Sequence, residues 1–383
     1  MAHLKNRIEA TKNKICVYAI CKNESQFVER WYESMREADY VCVLDTGSED
    51  DTYEKLQSIP GIICSKEVVT PWRFDTARNL SLDLVPQDAN ILVCTDLDEV
   101  FEPGWTQPLR EYWQDGVERA MYKYTWSHND DGSEGRTFYY DKIHSRNWKW
   151  RYPVHEALYN IYDDRLGTKD CNTINLFDFI HLHHYPDMNK SRLSYLPLLE
   201  QRKKEYPNDI DGLIYLAHEY SYRGYREESN QQLEEITHLD IDALTKASCY
   251  LFMGDNYMHM GMPHEALMMY NKGVQCDKTY RECYVGAAKA CMDLEMYKLA
   301  RVYLIEALKN TYRHYTWLER DTTWTYEVWD MLCLVEYYSD DGDKKKSFMY
   351  AAKALSYLPE EKRLIDNLKE CCAAIDDKEL IDG

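Results

Sequence analysis

Two rhythms of apolar residues divide this chain. In the first half, short continuous apolar runs alternate with stretches whose apolar positions recur every three or four residues. Ile15–Ile20 predicts a buried strand, and Gln26–Arg36, with Phe27, Trp31 and Met35 on one face, predicts a helix. Tyr40–Leu44 predicts a second strand ending at Asp45, and the loop Thr46–Asp50 leads into a helix capped near Asp50 or Asp51. A short third strand is expected at Gly61–Cys64, a helix at Asp75–Leu84 and a buried strand at Ile91–Thr95. Such alternation implies a mostly parallel sheet with helices on its faces.

Between Met121 and Ile180 aromatic residues alternate with polar ones, as in Met121–Trp126 and Trp148–Tyr152. This pattern predicts added antiparallel strands, with a hairpin turn at Asp131-Gly132 and an end near Phe177–His184. From about Ser191 the pattern is helical and repeats itself. The anchors Gly224, Gly261, Glu295 and Gly342 lie 37, 34 and 47 residues apart. Four residues before them stand Tyr220, Tyr257, Cys291 and Tyr338. Five after stand Ser229, Ala266, Ala300 and Ser347, and twelve after stand Ile236, Gly273, Ala307 and Ala354. Small residues at fixed offsets let two helices approach closely, and a spacing near 34 is that of tetratricopeptide helix-turn-helix units. The long last interval holds an insertion at about Thr311–Thr325, with His314, Trp317 and Trp324, which either faces a partner or caps the core. The expected domains are therefore residues 1–190, α/β, and 191–383, all-α.

Composition narrows the class. A length of 383 residues exceeds one compact core of usual size, and 45% hydrophobic with 13% aromatic residues excludes a disordered chain. A net charge of −20 argues against non-specific binding to nucleic acid or anionic membrane. No apolar run reaches membrane-spanning length, and the run after Lys14 is too short for a signal peptide. Thirteen cysteines, an odd number with no C-x-x-C, fit free and mostly buried thiols. The expectation is a soluble, cytoplasmic protein.

The candidate chemistry gathers at strand ends. The buried strand Ile91–Thr95 runs into Asp96-Leu97-Asp98, two carboxylates that strand alternation would direct to one face. Asn23-Glu24 follows strand one, Asp45 ends strand two, and Arg78-Asn79 lies early in a helix. In open α/β sheets the ligand crevice lies at these carboxyl ends. Neither a P-loop nor a G-x-G-x-x-G fingerprint is present.

Taken together, Ile20–Ser25, Val43–Thr52, Ala77–Asn79 and Thr95–Glu99, extending into Pro153–Ala157 and Ile180–Tyr185, resemble the family 2 glycosyltransferases of GT-A fold. With the helical repeats, the arrangement is similar to the subgroup that includes the peptide S-glycosyltransferases of glycocin biosynthesis. The resemblance implies transfer of a sugar, with inversion, from a nucleotide sugar such as UDP-glucose or another UDP-hexose to a peptide, protein or saccharide. It implies Mn2+ or Mg2+ on Asp98, with Asp96 touching the donor ribose or the ion's waters and His183 completing the metal site. Asn23, Glu24 and Asp45 would hold base and ribose, and Arg78 base or phosphate. The family's usual acidic pair after the metal motif is not evident, so Glu156 is the expected base, with His155 orienting it and Glu99 as second candidate. The helical repeats would recognise the acceptor or join two copies of the chain. Two other readings remain open: an inactive peptide-binding scaffold, and a nucleotidyltransferase.

Overall fold

A computed structural model describes residues 13–129, 132–164, 166, 171–187 and 194–381. The chain divides into two compact units, Met1–Glu205 and Tyr206–Gly383.

The first unit is built on a mixed sheet of nine strands. β1 (Ile15–Cys21), β2 (Tyr40–Asp45), β3 (Ile62–Lys66) and β4 (Ile91–Thr95) form a parallel half in the order β3-β2-β1-β4. β1 and, up to its last residue Thr95, β4 are apolar because both faces are covered, and every residue of each is buried. Val17 and Ala19 enter the core beneath α1 (Val28–Met35), whereas Cys16 and Tyr18 enter a second core containing Trp148 and Trp150. α2 (Thr52–Ser58) starts where expected, with Asp50 Oδ1 accepting the Thr52 N–H at 3.0 Å. α3 (Phe74–Leu82) follows β3, and Asn79 clamps it to β8 (Trp148–Arg151) by hydrogen bonds of 2.8 and 2.9 Å with the Trp150 backbone.

The sheet continues through antiparallel partners: β4 pairs with β7 (Thr137–His144), and β7 with β6 (Arg119–Thr125). β6 also pairs in parallel with β11 (His181–His184), whose far side takes β5 (Glu99–Phe101) antiparallel. β9 (Ala157–Asn160) completes a separate hairpin with β8, and β10 (Thr173–Asn175) pairs with β6. The expected turn at Asp131-Gly132 falls between β6 and β7, although Asp131 lies outside the described residues. α4 (Thr106–Tyr112) follows β5. α5 (Tyr195–Glu205), which periodicity groups with the helical half, belongs to this first unit. Its Arg202 donates to the Val154 and His155 carbonyls at 3.0 and 2.7 Å and lies over the Tyr152 ring.

The second unit is a series of helical hairpins: α6 (Ile210–Tyr222) with α7 (Arg226–Thr237), α8 (Ala243–His259) with α9 (Pro263–Cys276), α10 (Arg281–Asp293) with α11 (Tyr297–Lys309). After the short α12 (Asp321–Trp324) come α13 (Glu327–Tyr338) with α14 (Lys344–Leu355), then α15 (Lys362–Ile381). All four anchors fall in the turn inside a hairpin. Gly224, Gly261 and Glu295 have φ of 88°, 73° and 57°. In these three turns the next residue's N–H reaches a carbonyl five positions back, from Tyr225, Met262 and Met296, at 2.8 to 2.9 Å. This is the Schellman closure, which requires left-handed backbone at the anchor. At Gly342 the constraint is space, because a Cβ would stand 2.1 Å from the Glu336 carbonyl oxygen. The fixed-offset positions Ser229, Ala266, Ala300 and Ser347 are all buried. Tyr270 of α9 lies between glycines of its neighbours, Gly254 and Gly286, where added Cβ atoms would stand 2.4 and 2.5 Å from its ring.

The insertion folds back on its own unit. Trp317 stacks on Tyr215 at 4.9 Å, and Tyr280 donates to the Leu318 carbonyl at 2.6 Å. Glu282 Oε1 accepts from the Arg320 N–H, the Thr323 hydroxyl and the Trp324 indole at 3.0 to 3.2 Å. Of the two expectations for this segment, the structure shows core capping.

Candidate active site

Strand ends create the site. β1 stops at Cys21, and Asn23 turns the chain with φ of 54°. Its N–H donates to Ser48 Oγ at 2.9 Å, and its Oδ1 accepts the Glu49 N–H at 2.7 Å. The Glu24 N–H donates to Thr52 Oγ1 at 2.8 Å. Asp45 is fully buried, and its Oδ1 accepts the N–H groups of Gly47 and Ser48 at 2.9 and 2.8 Å. Asn23, Glu24 and Asp45 thus shape one loop at the ends of β1 and β2, mostly through backbone contacts.

β4 ends at Thr95, so a tight turn, rather than strand alternation, places Asp96 and Asp98. The Glu99 N–H closes it on the Asp96 carbonyl at 3.1 Å. Glu99 is buried and returns its carboxylate to the Asp96 N–H at 2.9 Å, while the Tyr124 hydroxyl donates to its other oxygen at 3.0 Å. Burial, helped by Asp96 and Asp98, raises the Glu99 carboxyl above its ordinary range against the pull of Lys142.

Arg78 is the hub. Its Nη2 donates to both Asp96 oxygens at 2.9 and 3.1 Å, Nε pairs with Glu156, and Nη1 approaches Cys94 Sγ at 3.1 Å. The guanidinium lies over the Trp150 ring, 5.3 Å from its centre. Lys142, from β7, adds a second cation 3.4 Å from Asp96 Oδ2. Burial alone would lift the Asp96 carboxyl, but Arg78 and Lys142 hold it well below the usual carboxylate range. Burial likewise opposes charge on Arg78, and Asp96 and Glu156 overcome it.

Asp98 meets a histidine, but not the one expected. Its carboxylate lies 3.4 Å from His184 Nε2, and its carbonyl accepts the Tyr185 N–H at 2.8 Å. Burial disfavours the charged imidazole, yet the Asp98 hydrogen bond and charge outweigh this and raise His184 above an ordinary histidine. The expected grouping of His183 with Asp96 and Asp98 does not form. Successive residues of β11 face opposite sides of the sheet, and His183 Nε2 lies 3.1 Å from Glu102 instead.

The expected base pair is also arranged differently. The Glu156 carboxylate is engaged by Arg78, and Glu99 is spent on the turn. His155 has φ of 50° and sets its ring edge-on to Tyr195 at 5.7 Å. Sequence reasoning missed Lys142 and Tyr124, and within the cluster His181, His183 and His184 it favoured His183 over His184. Lys142 is a lone lysine in an aromatic strand, and only the β4–β7 pairing brings it to Asp96.

This architecture has known counterparts. Residues 16–172 match the family model described as Glycosyl transferase family 2. The first unit is thus a family 2 glycosyltransferase domain, and its mixed sheet is the GT-A arrangement. No curated protein matches the chain in sequence. Among solved structures, a thermophilic TPR protein of Thermus thermophilus aligns at 17% identity over 46% of this chain and 89% of its own, with a TM-score of 0.36. MamA 41-end from Desulfovibrio magneticus RS-1 aligns at 16% over 45% and 89%, with a TM-score of 0.37. BtubC of P. vanneervenii aligns at 15% over 49% and 86%, with a TM-score of 0.39. The second unit, by its hairpins and their spacing, is a tetratricopeptide-like helical array.

Proposed function

We propose that this chain transfers a hexose from a nucleoside diphosphate sugar, UDP-glucose or a related UDP-sugar, to a peptide, protein or saccharide acceptor, with inversion and with a divalent ion. The observation that carries the reading is the approach of Asp98 to His184 at the strand ends of a family 2 glycosyltransferase domain.

A carboxylate and an imidazole converging at 3.4 Å, both mostly buried, are a donor pair that manganese accepts more readily than magnesium. Asp98 and His184 would hold the ion, with His184 taking the part expected of His183. When bound, the ion neutralises charge on the departing diphosphate. Asp96, kept ionised and aimed by Arg78 and Lys142, is available to the donor's ribose hydroxyls. The loop shaped by Asn23, Glu24 and Asp45 offers backbone groups to the base. Glu156 acts here by fixing Arg78, so a second carboxylate or the donor itself must take the acceptor's proton. Acceptor recognition, self-association, or both fall to the helical array, whose helices can present an extended face to a polypeptide. Among the described residues no helix is long and apolar enough to cross a membrane.

UDP release from UDP-glucose with Mn2+ tests the reading. Asp98→Asn is expected to lose at least ~100-fold in rate while its thermal melt stays within a few degrees of wild type. Equal turnover by the variant rejects the assignment. Pyrophosphate formation from a nucleoside triphosphate instead points to the nucleotidyltransferase, and inactivity of the wild type on every nucleotide sugar to the scaffold.

A further inference from the structure

β11 carries a second set of donor atoms on the face opposite His184. His181 Nδ1 and His183 Nε2 lie 3.0 and 3.1 Å from the same oxygen, Glu102 Oε1. All three donor atoms fall within 4.8 Å of one another. Around a tetrahedral zinc ion with bonds of ~2.0–2.1 Å, ligand atoms stand roughly 3.3 Å apart, so both contacts to Glu102 already have nearly that separation.

The surroundings suit metal ligands. The remaining nitrogen of each imidazole is engaged: His181 Nε2 with Thr125 Oγ1 at 2.8 Å, and His183 Nδ1 with His128 Nε2 at 3.1 Å. Such outer partners orient ligating histidines and fix their tautomers. Glu134 Oε1 stands 3.8 Å from His181 Nδ1, and its other oxygen pairs with Lys123 at 2.6 Å. The side chains of His181 and His183 are only 10% and 15% exposed, whereas Glu102, at 57%, leaves an entry path.

We propose that Glu102, His181 and His183 form a binding site for a zinc-like divalent transition-metal ion, separate from the Asp98–His184 pair. Two imidazoles and one carboxylate are a borderline-soft set that favours zinc over magnesium or calcium. The site spans the β5–β11 pairing: Glu102 directly follows β5, and its N–H already donates to the His181 carbonyl at 3.0 Å. Bound metal would brace the strand pair in which His184 lies opposite Glu99. The role is structural and needs no nucleotide sugar.

The test is zinc titration of the full-length, chelator-treated protein without donor, by calorimetry, with cobalt as spectroscopic probe. The tightest zinc equivalent is expected to survive Asp98→Asn and to weaken ~10-fold or more in both Glu102→Gln and His183→Gln. Zinc is also expected to raise the melting temperature of wild type and Asp98→Asn but not of Glu102→Gln. Circular dichroism of the metal-free variants checks that they fold. The proposal is overturned if wild type shows no saturable zinc binding, if Glu102→Gln binds as tightly as wild type, or if Asp98→Asn removes the tight equivalent. These readouts do not depend on glycosyl transfer, so either reading can fail alone.

Discussion

Arg78 ties its own helix to two other segments of the chain, because one guanidinium reaches Cys94 and Asp96 at the end of β4 and Glu156 at once. Removing it leaves two carboxylates without their principal partner. Arg78→Ala is expected to destabilise the first unit by ~3 kcal/mol, read from urea denaturation. A second buried group sets a pH dependence. His144 is fully buried, donates from Nδ1 to the Ser145 carbonyl at 2.7 Å and accepts the Tyr18 hydroxyl at Nε2, 2.6 Å away. Burial drives its pKa down to about 3. A depressed histidine contributes stability above its unfolded pKa of ~6.5 and loses it as pH falls toward the folded value. Between pH 6 and pH 4 this group alone is expected to cost ~1.4 kcal/mol per pH unit, and His144→Gln to flatten that part of the stability profile. At this scale the sequence was legible where a strand end alone fixes a residue's place, as with Asp96 and Asp98, which directly follow β4. It was not legible where register decides: adjacent His183 and His184 differ only in the face they take, and Lys142 needs the sheet to find Asp96.

Among elements, the hairpin turns carry the clearest record. Gly224, Gly261 and Glu295 occupy one backbone role, yet only glycine adopts it without a Cβ penalty. Glu295 is solvent-exposed. Glu295→Gly is therefore expected to stabilise the protein by ~0.5–1 kcal/mol, seen as a higher urea midpoint. The repeat could be read because small residues at constant offsets are a packing requirement, and the structure buries them. Helix limits were close, as with α3 at Phe74–Leu82 against an expected Asp75–Leu84. The fate of the insertion could not be read, because an aromatic-rich segment serves a core and an interface equally well until Trp317 is seen against Tyr215.

The whole molecule has two units: one carries the family 2 glycosyltransferase domain, the other a helical array. Chelation is expected to abolish UDP release and Mn2+ to restore it, while the helical circular dichroism signal stays unchanged, since the Asp98–His184 pair belongs to the first unit. The α/β-then-helical order was visible in the switch of apolar period. The position of α5 was not, because a helix ahead of a helical array carries the same period whichever unit it packs against.

The segment from Trp317 to Trp324 has a consequence for any guest of the helical array. It already lies on side chains of α6, α8 and α10, through Tyr215, Asp255 and Glu282. That stretch of surface has a resident tenant covalently joined to its landlord. A polypeptide arriving there must evict the tenant, at the expense of the Glu282 hydrogen bonds, or settle on ground the tenant leaves vacant.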